Sequence, residues 1–125
     1  MQEEETLAIE AISAVTLATR DMSRAVSFYR SLGLVLYHGG EGATFSSFTV
    51  GSGHLNLLAT APERRGMWWG RVIFHVSDVD AFFERAVARR LRPDTTPRDA
   101  EWGERYFHIT DPDGHELSFA RRLKE

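Results

Sequence analysis

The feature that most constrains this chain is an internal repeat: the segment around Asp21 recurs around Asp78, 57 residues further on. Leu17, Ala18, Thr19, Arg20, Asp21 and Met22 fall against Phe74, His75, Val76, Ser77, Asp78 and Val79. Each copy starts with a strand signal, because Val15 and Leu17, and again Val72, Phe74 and Val76, share a face by the period of two. Each aspartate then opens a helix, its carboxylate suited to the free N–H groups of the first turn. Met22, Ala25, Val26, Phe28, Tyr29 and Leu32 form an apolar stripe ending at Gly33, and Val79, Phe82, Phe83, Ala86 and Val87 form its counterpart.

Three strand-like stretches follow the first helix, at Leu34–His38, Phe45–Val50 and Leu55–Ala59, separated by glycine-rich turns. Three more follow the second helix: around Leu91–Pro93, at Arg105–Thr110 and at Glu116–Ala120. Both halves therefore run β, α, β, β, β, one module over residues 12–60, the other over 71–121, with a linker at 61–70. A unit of about fifty residues with one helix cannot bury both sheet faces, so two copies must pair. The predicted fold is α+β, a single domain of two βαβββ modules whose mixed sheet curls around a cleft, with the helices on the outer face. Val15, Leu17, Leu55, Leu57, Val72 and Phe74 then point to the helices, and the alternate residues face the cleft.

The 125 residues, 42% of them hydrophobic, suit one globular domain. The chain has no cysteine, which excludes disulfides and thiolate metal sites. No apolar run reaches the roughly 20 residues that span a bilayer, and the segment Met1–Glu5 is acidic, so the expectation is a cytoplasmic protein without a membrane partner. A net charge of −3 argues against nucleic acid as a partner. Arg89, Arg90 and Arg92, and Arg121, Arg122 and Lys124, read as solvated surface.

Val15, Thr16 and Leu17 followed by Arg20, Asp21, Met22, Ala25, Phe28, Tyr29, Leu32 and Gly33 resemble the first module of the glyoxalase, bleomycin-resistance and extradiol dioxygenase superfamily, the vicinal oxygen chelate proteins. Val76, Ser77, Asp78, Val79, then Trp102, Gly103, Arg105, Phe107 and finally Asp111, Pro112, Asp113, Gly114 resemble the second. The resemblance implies a homodimer. In its enzymes it also implies one divalent metal held by His, Gln or Glu on the first and last strands of each module, acting as a Lewis acid on substrate oxygens. The matching positions here are Ala14, Asn56, Arg71 and Ser118. Alanine has no donor, a guanidinium repels cations, and the other two offer only weak neutral oxygens. No metal and no other cofactor is therefore expected, a divalent metal being the alternative.

Strand parity adds His75, Tyr106 and His108 to the cleft, and Trp102 lies on the loop before the penultimate strand. The expected ligand-binding set is thus Arg71, His75, Asn56, Ser118, Tyr106, His108 and Trp102. Arg71 either holds an anionic ligand group or pairs with Glu101 or Glu104 at a dimer seam. Trp68 and Trp69 are read either as packing in the seam between modules or as contacts to a flat ligand, since the metal-free bleomycin-resistance branch stacks aromatic side chains on its ligands. Asp-Pro-Asp-Gly at 111–114 reads as a structural turn, and His38, His54 and His115 as surface residues. The expected function is metal-free binding of a polar or anionic small molecule. Two alternatives stay open: a metal-dependent lyase, isomerase or dioxygenase with ligands relocated to His75, His108 and Glu116, and a non-catalytic interaction domain.

Overall fold

The structure, a computed structural model, describes residues 10–60 and 69–123 together with Leu7. Trp68 and most of the 61–70 linker lie outside the described residues. Ten elements follow one another: β1 Ala14–Thr19, α1 Met22–Leu32, β2 Val35–His38, β3 Phe45–Val50, β4 Gly53–Ala59, β5 Arg71–His75, α2 Val79–Ala88, β6 Arg98–Asp99, β7 Glu104–Thr110 and β8 Glu116–Arg122. They form two four-stranded mixed sheets, ordered β1-β4-β3-β2 and β5-β8-β7-β6. In each, the first strand runs parallel to the last, and the other pairs are antiparallel. The fold is α+β, as the repeat predicts, and neither sheet closes into a barrel.

The matched aspartates cap the matched helices. Asp21 accepts from the Arg24 N–H at 3.1 Å and Asp78 from the Ala81 N–H at 3.0 Å, both from extended backbone. The helices also end alike. Gly33 and Leu34 bond back to the carbonyls of Arg30 and Tyr29, and Arg90 and Leu91 to those of Val87 and Ala86. This ending needs one left-handed residue, supplied by Gly33 at φ 108° and Arg90 at φ 68°.

That second ending corrects the strand expected at Leu91–Pro93. The Leu91 N–H is spent on the helix, Pro93 has none, and the third strand of the module forms instead at Arg98–Asp99 against Tyr106 and Arg105.

Face parity holds in both sheets. Leu17, Leu55, Leu57 and Phe74 are buried beneath the helices, and Val15 and Val72 pack against them. The second module's core gathers around Phe119, whose ring lies 5.1 Å from Phe74, 5.6 Å from Phe82 and 5.2 Å from Phe107. The first centres on Tyr29, 5.1 Å from Phe28 and 5.8 Å from Phe48.

The turn at 111–115 joins the modules. Asp111, 4% exposed, accepts from the Tyr29 hydroxyl at 2.7 Å and from the N–H groups of Asp113 and His115, each at 2.9 Å. Asp113 accepts from the Arg20 N–H at 3.0 Å. His115 is not the plain surface residue expected from its place beside Gly114. Its Nδ1 accepts from the Trp69 indole at 2.8 Å, which leaves Nε2 to donate to the Ala18 carbonyl at 2.8 Å. Trp69 therefore serves the seam between modules.

Candidate functional site on the open sheet faces

The faces turned away from the helices carry the residues that parity assigned to the cleft. On the second sheet, register sets three rows across β5, β8 and β7. Arg71 lies beside Glu116 and Thr110, Ile73 beside Ser118 and His108, and His75 beside Ala120 and Tyr106. Six of the seven expected ligand-binding residues, Arg71, His75, Tyr106, His108, Ser118 and Trp102, thus belong to this sheet or the loop entering it. Asn56 does not join them. It lies on the open face of the first sheet, where its amide nitrogen donates to Thr16 Oγ1 at 3.2 Å.

Within the chain Arg71 pairs with Glu116. Its Nε and one Nη donate to Glu116 Oε1 at 3.2 and 2.8 Å, because the parallel register of β5 and β8 sets the two side chains opposite each other. The pair is about one-third exposed on both sides, so solvent screens it and its contribution to stability is small.

Along β7 the side chains form a ladder. The Trp102 ring stacks on Tyr106 at 5.8 Å, and Tyr106 lies 5.0 Å from His108. The Trp102 indole donates to Glu104 at 3.0 Å, which fixes a ring that is 71% exposed. Arg98 places its guanidinium 5.9 Å from the centre of the Tyr106 ring. Arg98 lies outside the expected set, because the third strand of the module forms seven residues beyond Leu91. Burial, and after it the positive charge of Arg71, holds the His108 imidazole below its ordinary value, so it is neutral at pH 7 and free to accept a proton or a hydrogen bond. Ile73, 63% exposed, sets an apolar surface beside this ladder.

The first sheet's open face is plainer. Tyr37 at 69% exposure lies 4.9 Å from His54, and Leu58 and Phe45, paired further along the strands, are also exposed. No charged pair crosses this face among the described residues.

The sequence profile of the Glyoxalase/Bleomycin resistance protein/Dioxygenase superfamily matches residues 11–119. The chain belongs to this superfamily. TioX from Micromonospora sp. ML1 is 28% identical with a TM-score of 0.73, the match covering 91% of this chain and 100% of TioX. The bleomycin resistance determinant encoded on transposon Tn5 has the same fold, at a TM-score of 0.76 and 18% identity over 92% of this chain and 100% of that one. The uncharacterized protein Mb0911c of Mycobacterium bovis is 40% identical over 50 residues, which are 40% of this chain and 33% of Mb0911c. The match thus spans about a third of that relative's own length.

The superfamily's enzymes imply a divalent metal, and the residues at its four positions do not fit one. Ala14 has no donor atom, and Arg71 brings a fixed positive charge already paired with Glu116. His75 and His108 stand on strands separated by β8, two strand spacings or about 10 Å apart. Among the described residues, no group of three or more His, Asp or Glu side chains is gathered as a metal set. No described helix is long and apolar enough to cross a membrane.

Proposed function

We propose that this chain is a metal-free small-molecule-binding member of the superfamily, working as a cytoplasmic homodimer and holding a flat, polar or anionic ligand on the open face of the second sheet. The observation that carries the reading is the ladder of Trp102, Tyr106 and His108 along β7. Aromatic faces give a large contact area at small entropic cost, and a planar ligand laid on them needs only a few polar groups for orientation. Arg98 and Arg71 supply positive charge near the ladder, and neutral His108 supplies a hydrogen-bond acceptor. A second copy suits the reading because Tyr37, Leu58 and Ile73 leave apolar surface open on the two sheets.

Two measurements test it together. A panel of aryl carboxylates and flat heterocycles is screened by quenching of tryptophan fluorescence, with Trp102→Ala and Tyr106→Ala as controls. The expected result is saturable quenching that both variants weaken at least tenfold, and a dimer in sedimentation velocity. Metal content is measured in protein purified without chelators. Stoichiometric Zn, Ni, Mn or Fe would overturn the metal-free reading, and ligand binding unaffected by both variants would overturn the site.

A further inference from the structure

A second constellation lies on the other side of the molecule, where the solvent face of α1 meets the turn that follows α2. Arg24, Ser27 and Ser31 on α1 stand across an open surface groove of about 1030 Å³ from Arg89, Arg90 and Arg92. Arg89 is held at the groove wall by a bond from its Nη1 to the Ser31 carbonyl at 3.0 Å. Three carboxylates line the same groove, each hydrogen-bonded to neutral donors. Asp21 caps α1, Glu41 accepts from Ser23 at 3.3 Å, and Asp111 is tied to Tyr29 and its own turn. None of the four arginines makes an ion pair among the described residues, where the ion pairs are Arg71 with Glu116 and Arg105 with Asp80 and Asp99. In a chain of net charge −3, four guanidinium groups against three carboxylates give this groove a formal balance of +1, a local reversal of sign.

The backbone supplies an independent argument. Both helices end in the same left-handed residue, and the first module uses Gly33 for it, the residue with no steric objection. The second module places Arg90 there, at φ 68°. A side chain in this region is sterically disfavoured, and glycine at the equivalent position shows that the repeat accommodates the cheaper choice. Strain kept where the fold does not require it points to a side chain in use.

We infer that this groove is a second ligand site, for a compact polyphosphate-type oxyanion. Several guanidinium groups, each able to give paired N–H donors to two oxygens, match neighbouring phosphate groups, and serine hydroxyls add neutral donors. A single carboxylate has too few oxygens to occupy four arginines. The site is separate from the aromatic face on β7 and does not depend on what binds there.

The probe is inorganic tripolyphosphate, titrated into the full chain at low salt by calorimetry, with amide NMR shifts to locate it. Expected are one saturable site, shifts at residues 24–31 and 89–92, and weakening as salt is raised. Arg89→Ala/Arg92→Ala lowers affinity at least tenfold. Arg90→Gly lowers it severalfold while raising Tm, the combination that a strained but useful arginine requires. Arg121→Ala/Arg122→Ala, outside the groove, leaves affinity unchanged. The inference is overturned by absence of saturable binding up to about 10 mM, a concentration that corresponds to negligible affinity. Equal loss in the Arg121/Arg122 variant, an Arg90→Gly protein of unchanged affinity, or tighter binding of single-stranded DNA engaging the tail arginines would overturn it too.

Discussion

Removing the Asp111 side chain tests whether the turn at 111–115 holds the two modules together. Asp111→Ala strips three hydrogen bonds: one from the Tyr29 hydroxyl and two from backbone N–H groups of the turn. The Tyr29 side chain is fully buried, so its hydroxyl is left without a partner and without water, a cost of about 1–3 kcal/mol. The two N–H groups sit in a half-exposed turn and recover part of their loss from solvent. Together with the loss of charge-assisted bonds, Asp111→Ala is expected to destabilise by about 3 kcal/mol. Tyr29→Phe removes one bond to a charged acceptor and is expected to cost about 2 kcal/mol. Asp111→Asn keeps an oxygen for the turn and offers an N–H to the Tyr29 oxygen, so about 1 kcal/mol is expected. Urea unfolding monitored by circular dichroism reads these differences as shifts in midpoint at constant slope. The double variant Tyr29→Phe/Asp111→Ala should show coupling of at least about 1 kcal/mol. Coupling near zero, or an alanine variant as stable as the asparagine one, refutes the clasp.

The same group gives a pH test. Burial raises the Asp111 carboxyl above its ordinary value, and the bond from Tyr29 only partly opposes this. The folded state therefore holds this proton more tightly than the unfolded state. The contribution is fully present below the ordinary carboxyl range near pH 4 and is lost as pH rises through the raised folded value. The advantage of wild type over Asp111→Asn should shrink from acid to neutral pH. An advantage that grows with pH contradicts the assignment.

Two further outcomes are expected. Gly33→Ala places a Cβ at φ 108° and against the Arg85 guanidinium, and should destabilise by about 1–2 kcal/mol in the same unfolding assay, whereas Ala at the open position Gly42 should not. His108, followed by NMR titration, should ionise below the ordinary imidazole value, and Arg71→Ala should move it upward by removing a neighbouring positive charge; titration at or above the ordinary value in wild type would show that the face around it is wetter than the structure has it.

Local signals in the sequence were sufficient for the elements that repeat. Asp21 and Asp78 announce their helices because a cap is made within three residues, and the buried faces follow because side chains alternate along a strand. Where the reading failed, the determinants are not local. Arg90 occupies the left-handed position that Gly33 advertises in the first module, so the second helix has no visible stop in the sequence, and Leu91 reads as the start of a strand. With the strand moved to Arg98–Asp99, Arg98 reaches the Tyr106 ring, a neighbour the earlier boundary hid. Arg71 finds Glu116 only through the pairing of β5 with β8, 45 residues apart. His115 meets the carbonyl of Ala18 across 97 residues, a contact that no composition or spacing near Gly114 suggests.

The clasp and the charged end of the open face are one continuous piece of structure. The chain enters β5 through Trp69 and Gly70, so the indole bonded to His115 lies two residues before Arg71. It enters β8 through His115 itself, the residue before Glu116. The Trp69–His115 bond thus joins the two strands at their starts, and the parallel register that follows sets Arg71 opposite Glu116. The other ring nitrogen of His115 is anchored on the first module, and Asp111 and Asp113 hold the same turn to Tyr29 and Arg20. The position of the guanidinium is therefore set by how the two modules are docked, rather than by β5 alone. The charge that stands at this position of the superfamily is held at a fixed point, and the turn that joins the repeats is what fixes it.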